Sequence, residues 1–150
     1  MNIQVDTREH AKEWERIKSQ FDKLGVQYFR SKLYVGDYQS LDNPRLVVDR
    51  KKNLLEVCTN VCQQHERFKA ELIRAKESGI QVVILIEQGD ITCLEDIYFW
   101  KNPRTKTSPK ATPGPALMRS LITIRDRYDV RFEFCKPSKT GEKLMQLLGG

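Results

Sequence analysis

The sequence predicts a single α/β domain in which a central mixed β-sheet is flanked by helices. Short apolar runs of strand type alternate with segments whose apolar residues recur every three or four positions, the spacing of a helix face. The run 80–86 is apolar except at Gln81, which is typical of a central strand covered on both faces. A chain of 150 residues is also long enough to bury a core, so we expect residues 1–150 to form one domain.

Composition narrows the class of protein further. Hydrophobic residues make up 39% and charged residues 31% of the chain, which fits a folded globular protein and excludes a disordered one. The net charge of +6 favours a polyanionic partner, although an ordinary solvated basic surface explains it equally well. The longest purely apolar run, 82–86, is too short to span a membrane, and no signal peptide is recognisable. We therefore expect a cytoplasmic protein without a membrane partner, whose four cysteines are reduced and mostly buried.

The first predicted elements are a strand over residues 3–5, a helix, and a second strand over residues 26–30. Apolar residues at spacings of three and four indicate the helix, which Gly25 ends: Trp14, Ile17, Phe21 and Leu24. Asp6 and Glu9 lie three residues apart where the helix should begin, which is the spacing of a capping box. A turn after residue 30 then leads into a meander of further strands.

A β-hairpin is predicted from residues 33–41 and 46–51, joined by a turn at 42–45. Symmetric pairing about Asn43 places Asp37 directly opposite Asp49, where like charges repel. Such a pair needs a cation, and a divalent metal ion prefers the hard oxygen atoms of carboxylates. Side chains alternate along a strand, so Lys51 shares the face of Asp49 while Arg50 points to the other face. The hairpin favours metal-assisted hydrolysis of a phosphodiester.

The same residues carry a resemblance to a known nuclease family. An acid after glycine, followed by acid-x-Lys at a strand end, is the skeleton of the PD-(D/E)xK nucleases. The sequence more specifically resembles the XPF-type structure-specific endonuclease domain, through three blocks in order: Val5-Asp6-Thr7-Arg8-Glu9, Val35-Gly36-Asp37-Tyr38 and Val48-Asp49-Arg50-Lys51. The resemblance spans nearly the whole chain and implies a restriction-endonuclease-like fold and cleavage that leaves a 5′-phosphate.

The resemblance also implies a set of site residues. Mg²⁺ or Mn²⁺ would be bound by Asp37, Asp49 and the backbone carbonyl of Arg50. Lys51 would position or deprotonate the attacking water and stabilise charge. The side chain of Arg50 would support the site from behind or touch a phosphate.

The chain departs from the family at two points. The family has Glu where this chain has Asp49, and the helix-hairpin-helix domain and helicase module are missing, which suggests a stand-alone, bacterial or phage-like version. The next acid of the family pattern falls at Leu55, so Glu56 is one position late, and we interpret Glu56 as a helix cap. The first block also implies that Asp6 and Glu9 are active-site acids, a role compatible with capping.

Two helices are predicted after the hairpin. Asn53 caps the first, and the second covers residues 64–78 with an inner stripe of Phe68, Leu72 and Ala75. Arg67, Glu71 and Arg74 share an adjacent face, either as a solvated surface on which Glu71 pairs with both arginines or with Arg67 meeting a phosphate. Glu87 ends the buried strand where solvent begins, and we assign it no role.

A basic, proline-rich loop is predicted over residues 101–114. Together with Lys52 and Arg67, its four cations are candidate DNA contacts: Lys101, Arg104, Lys106 and Lys110. The aromatic residues at 98–100 suit base stacking beside such contacts. An ordinary surface loop, with its aromatic residues in the core, is the alternative.

The last predicted elements are a helix over residues 115–128, a strand over 130–134 and a helix over 138–148. The helix 115–128 has a broad apolar stripe, wider than a one-sided surface helix needs: Leu117, Met118, Leu121, Ile122, Ile124 and Tyr128. Nuclease domains of the resembled family dimerise, so we expect a homodimer through this helix.

Two functions remain open on the sequence. The first is a Mg²⁺- or Mn²⁺-dependent endonuclease that acts on branched or structured DNA in repair or recombination. The alternative is a catalytically silent DNA-binding subunit that partners an active nuclease. Retention of Asp37, Asp49 and Lys51 argues against the silent subunit.

Overall fold

A computed structural model describes residues 1–149, which contain one six-stranded mixed sheet. The strands lie in the order β2-β1-β3-β4-β5-β6 and are β1 (Asn2–Val5), β2 (Gln27–Arg30), β3 (Tyr38–Ser40), β4 (Leu46–Lys51), β5 (Gln81–Glu87) and β6 (Arg131–Cys135). β3 runs antiparallel to its neighbours β1 and β4, and the remaining pairs are parallel. The predicted α/β class with a central mixed sheet is confirmed.

Helices cover both faces of this sheet. They are α1 (Ala11–Leu24), α2 (Leu54–Cys62), α3 (His65–Glu77), α4 (Gly114–Tyr128) and α5 (Thr140–Gly149), with 3-10 turns at Leu94–Phe99, Pro103–Lys106 and Pro137–Lys139. α1 and α5 pack on one face, and α2, α3 and α4 on the other. None of the helices within residues 1–149 is long and apolar enough to cross a membrane.

The β3–β4 hairpin has the register that symmetric pairing predicts. Tyr38 lies opposite Val48, which places residue 37 opposite residue 49, and the Asp37 N–H donates to the Val48 carbonyl at 2.9 Å. Val47 packs on the α2–α4 side and Val48 on the α1–α5 side. Because side chains alternate along the strand, Asp49 and Lys51 share the α2–α4 side and Arg50 points to the α1–α5 side.

The strands before the hairpin differ from the prediction. Only residues 38–40 of the expected strand 33–41 are regular. Gly36 has a φ of 78°, and residues 34–37 form bends before β3 begins. β2 pairs with β1 alone at the edge of the sheet, so it is not part of a meander with the hairpin. The predicted capping box is also wrong, because α1 begins at Ala11 after His10, whose side chain makes no cap bond.

Packing within the chain accounts for the broad stripe on α4. Leu117, Leu121 and Ile124 are buried, and Met118 and Ile122 are partly buried against the same core. None of these side chains is among the large exposed hydrophobic residues. The breadth of the stripe therefore does not require a second subunit, and homodimerisation through this helix remains an untested expectation.

Gly36→Ala is expected to destabilise the fold more than Gly79→Ala. Both glycines have left-handed φ values, 78° and 71°, which cost other residues about 1–2 kcal/mol. A Cβ at Gly36 would also lie 3.0 Å from the Val47 Cβ, whereas a Cβ at Gly79 has nothing within 4 Å. This crowding should add about 1–3 kcal/mol in urea unfolding. Equal losses in the two variants would show that β4 moves aside at no cost.

Candidate active site

The site lies where the central strands end. β1, β4 and β5 run in the same direction, so Asp6, Lys51 and Glu87 all lie at the end of the sheet where these strands finish. β3 runs the opposite way, so Asp37, in the bend just before β3, lies at the same end of the sheet. A cleft of about 380 Å³ opens there and is lined by Arg8, Glu9, His10, Glu13, Asp37, Asp49, Arg50, Lys51, Lys52 and Glu56.

Asp37 and Asp49 form a pair of like charges in this cleft. Burial raises the pKa of Asp37 well above its usual value, and the nearby carboxylates of Asp49 and Glu9 raise it further. One stabilising contact opposes this, since the Arg50 N–H donates to Asp37 Oδ2 at 2.8 Å. Without a cation the pair therefore retains a proton on Asp37 at higher pH than an ordinary aspartate would.

Lys51 is the cation nearest to this pair. Its Nζ lies 3.3 Å from Asp49 Oδ2 and 5.6 Å from the centroid of the Phe68 ring. Burial alone would lower the pKa of Lys51, but the carboxylates of Asp49 and Glu56 outweigh it, and the pKa lies above its usual value. An ammonium that stays protonated at neutral pH suits charge stabilisation better than removal of a proton from water.

Arg50 lies behind the site and holds the end of β4. Its guanidinium contacts Glu9 at 2.8 Å and Glu87 at 2.6 Å, and the side chains of all three residues are at most 4% exposed. Glu87 in turn accepts from Arg16 at 2.8 Å and from the Thr140 hydroxyl. We call Glu9, Arg50, Glu87 and Arg16 the buried ion network. It joins α1, β4 and β5 beneath the cleft, so the Arg50 side chain supports the site from behind.

The two acids of the first sequence block have different positions. Asp6, 1% exposed, accepts from the Leu33 N–H at 2.8 Å and from Arg8 Nε at 2.7 Å, and it does not line the cleft. Its carboxylate therefore anchors the bend that leads to Asp37, and the implied catalytic role of Asp6 stays a prediction. Glu9 lines the cleft, and its pKa is below its usual value because Arg50 outweighs the opposing effect of burial.

The helix that follows β4 closes the cleft on one side. Asn53 Oδ1 accepts from the Glu56 N–H at 2.9 Å, and Glu56 Oε2 accepts from the Lys52 N–H at 3.0 Å. This geometry fits the predicted capping role of Glu56, whose side chain also lines the cleft. Lys52 is exposed at the cleft and remains a candidate for DNA contact.

The polar face of α3 lacks the ion pairs expected for a solvated surface, which was one of the two interpretations that the sequence left open. Within residues 1–149, Glu71 makes no ion pair with Arg67 or Arg74. Burial raises the pKa of Glu71, and the Asp49 carboxylate raises it further, which places Glu71 toward the site. Arg67 is exposed and does not line the cleft.

The four loop cations lie apart from the cleft. Lys101, Arg104, Lys106 and Lys110 are all exposed, and none makes an ion pair with another residue in the range 1–149. Arg104 and Lys110 line a second cavity along α2, while the predicted loop contains the 3-10 turn Pro103–Lys106.

Sequence reasoning missed several residues of the site region, among them His10 and Glu13, which line the cleft. Arg8 was quoted within the first block without a role, yet it lines the cleft with 61% of its side chain exposed. Glu87 was set aside because a strand end explained an acid equally well. Arg16 sits on the polar side of a helix, where no sequence pattern indicates a buried partner.

Asp37→Asn is expected to stabilise the metal-free protein at pH 7.5 by about 1 kcal/mol, or about 2–4 °C. A carboxyl group whose folded pKa is raised is well tolerated below its unfolded pKa near 3.9 and costs stability as the pH rises through the folded value. The neutral amide removes this cost and still accepts from the Arg50 N–H.

Thermal unfolding in EDTA at pH 4 and pH 7.5 measures the difference between the two proteins. The gain should be present at pH 7.5 and nearly absent at pH 4, and the exposed Asp42→Asn variant should show neither. A loss of stability at pH 7.5 would contradict the inference that the ionised Asp37 carboxylate destabilises the metal-free fold.

Fold and site together define the class of protein. A mixed sheet flanked by helices, with an acid pair and a lysine at the end of its central strands, is a restriction-endonuclease-like domain. Residues 5–147 match the sequence model of the ERCC4 domain, so the chain belongs to the ERCC4 domain family. The XPF-type nuclease domain and the fold that the three sequence blocks implied are thereby confirmed.

Two solved structures share this fold. XPF from Aeropyrum pernix superposes with a TM-score of 0.71 at 20% identity, and XPF from Aeropyrum pernix in complex with DNA with a TM-score of 0.69 at 21% identity. Each match covers 99% of this chain and 63% of the solved chain, so this chain spans less than two thirds of either one. A comparison with curated protein sequences gives no significant match.

Proposed function

We propose that this domain is a metal-dependent endonuclease that hydrolyses phosphodiester bonds in branched or structured DNA. The observation that carries the proposal is the pairing of Asp37 with Asp49, two carboxylates facing one cleft beside Lys51. Proteins rarely leave such a pair of acids uncompensated, because their repulsion opposes folding. A bound cation removes the repulsion.

The residues present fit Mg²⁺ or Mn²⁺. Asp37 and Asp49 supply hard oxygen ligands, and the carbonyl of Arg50 is a candidate for a third. Within residues 1–149 no three His, Cys, Asp or Glu side chains form a complete metal cluster. Mg²⁺ commonly keeps several water ligands, so a small protein ligand set is consistent with it. When bound, either ion would polarise the phosphate and lower the pKa of a coordinated water.

The chain's own residues supply the remaining chemistry. The Lys51 ammonium, held by Asp49, stabilises the negative charge that develops on the phosphate oxygens during attack by water. Arg50, fixed by Glu9 and Glu87, keeps the end of β4 in place so that Asp49 and Lys51 keep their spacing. Arg8 offers an exposed guanidinium at the mouth of the cleft for an approaching phosphate.

DNA is the proposed substrate because cations surround the site on several elements. Lys52 and Arg8 lie at the cleft. Arg67 is exposed on α3, and two of the loop cations, Arg104 and Lys110, line the second cavity along α2. The net charge of +6 adds a general attraction for a polyanion. A similar solved structure, XPF from Aeropyrum pernix, is a complex with DNA, which supports the proposal for this chain.

A cleavage assay over a set of DNA structures tests the function. End-labelled flap, fork, junction and linear duplexes are incubated with the purified chain in EDTA, in Mg²⁺ and in Mn²⁺. We expect cut products on at least one branched substrate with metal and none in EDTA. Binding to branched DNA without a product at any metal concentration would favour the silent subunit instead.

A further inference from the structure

A second cavity lies between α2 and the basic loop, and we call it the loop pocket. Its volume is about 250 Å³, and it shares no lining residue with the active-site cleft. α2 lines both sites: Glu56 belongs to the cleft, and Cys58 and Thr59, two and three residues further along the helix, belong to the loop pocket. The two sites are therefore neighbours along this helix.

The loop pocket has the lining of an anion site. Arg104 and Lys110 are its charged residues, and its lining contains no aspartate or glutamate. Neither cation makes an ion pair elsewhere in residues 1–149. The Ser108 hydroxyl adds a donor to the same wall, whereas the Thr59 hydroxyl already donates to the Leu55 carbonyl at 3.1 Å. Two unpaired cations and a hydroxyl donor match the needs of a phosphate group.

The loop that carries these cations is tied to itself at the pocket. Asn102, only 3% exposed, donates from Nδ2 to the Thr112 carbonyl at 2.8 Å and accepts the Arg104 N–H at 3.0 Å. The bond to Thr112 joins the two ends of residues 102–112, so Arg104 and Lys110 lie within one closed loop. Beyond this loop, Gly114 packs so closely that a Cβ would lie 2.4 Å from the Ile97 carbonyl oxygen.

We infer that the loop pocket binds a backbone phosphate of the DNA close to the scissile bond. The inference rests on the proposed nuclease function. Because the cleft and the loop pocket both lie along α2, one continuous strand can contact both. A contact there fixes where the strand lies on α2 and hence which phosphate enters the cleft.

Two exposed cysteines allow a direct test. The Cys62 thiol lines the loop pocket, 3.2 Å from the Thr112 hydroxyl. Cys93 is also exposed but lines a different hollow, beside residues 129–133. The third candidate, Cys58, is buried, and burial raises the pKa of its thiol to about 11, so it alkylates slowly. Cys62 also lines a hollow beside residues 120–128, so its protection is assigned to the loop pocket together with the pocket variant below, and Cys93 is a control within the same molecule.

The experiment measures the alkylation rate of each cysteine by iodoacetamide, resolved by peptide mass spectrometry. The full chain is held in EDTA, so the DNA stays uncut, with and without a forked duplex at about ten times its Kd. We expect the rate at Cys62 to fall about tenfold, as occupancy dictates, and the rate at Cys93 to stay unchanged. Inorganic phosphate at the same phosphate concentration should protect neither, which separates DNA from a free-anion site.

A pair of double variants supports the same measurement. Arg104→Ala with Lys110→Ala removes the pocket cations, and Lys12→Ala with Lys23→Ala removes two exposed cations from α1 on the other face of the sheet. Both lower the net charge equally. Because the pocket holds one phosphate, we expect only the pocket variant to lower the slope of log K against log salt, by about 1.

The outcomes separate this inference from the proposed function. If anisotropy shows that the fork binds while Cys62 reacts at its free rate, the pocket inference is overturned and DNA binding stands. If the two double variants have the same salt slope, the loop pocket binds no phosphate. If no DNA binds at all, the proposed function fails and the pocket inference fails with it.

Discussion

Asp49→Ala protein should cut branched DNA on the order of 10²–10³-fold more slowly than the unaltered chain while keeping its fold and its affinity for DNA. Asp49 serves two groups at once, since it faces Asp37 across the hairpin and holds the Lys51 ammonium at 3.3 Å. Its loss removes a proposed metal ligand and frees the Lys51 ammonium, for which we propose charge stabilisation. Single-turnover cleavage in Mn²⁺ measures the rate, and circular dichroism checks the fold.

Two variants control this experiment. Asp42→Ala makes the same change at an exposed acid in the turn of the same hairpin and should leave the rate unchanged. Asp49→Glu installs the acid found in the resembled family, and we expect it to retain activity within about tenfold, because one methylene moves a ligand without removing it. Undiminished cleavage by the Asp49→Ala protein would sink the proposed mechanism.

Arg50→Ala is expected to lower the free energy of unfolding by about 3–5 kcal/mol. The guanidinium contacts Glu9 and Glu87 at 2.8 and 2.6 Å, and removing it leaves two buried carboxylates with too few partners. Urea unfolding measures the loss. Arg45→Ala, at an exposed arginine just before the same strand, should change stability by less than about 0.5 kcal/mol.

The pH dependence of stability, compared between Arg50→Ala and the unaltered chain, measures what the buried ion network contributes. The pKa of Glu9 is lowered in the folded chain, so its contribution is present above the unfolded value near 4.3 and is lost as the pH falls through the lower folded value. Arg50→Ala should therefore flatten the acid side of the stability curve. Equal stability of Arg50→Ala and the unaltered chain at pH 7 would show that the network contributes nothing to the fold.

Local patterns were enough to predict the centre of the site. The turn at 42–45 and strict alternation along 46–51 gave the register that opposes Asp37 and Asp49 and turns Arg50 to the other face. Both inferences use only neighbours within one hairpin, where spacing in sequence determines position in space.

Partners distant in sequence could not be predicted in this way. Arg50 and Glu87 are 37 residues apart, and their contact depends on the parallel pairing of β4 with β5. The start of α1 was placed too early because Asp6 and Glu9 have capping spacing, whereas tertiary partners at Leu33 and Arg50 occupy their carboxylates. Spacing along α3 suggested a solvated Glu71, because spacing within one helix does not show that the hairpin lies beside it.

The place of β4 in the sheet has a consequence for how the protein fails on heating. β4 lies between β3 and β5, with helices over both faces, so its amide hydrogens should exchange with solvent only through near-complete unfolding. Asp49 and Lys51 belong to this strand and not to a frayed loop. Catalytic activity and global structure should therefore disappear at the same temperature, without an earlier inactivated state that is still folded.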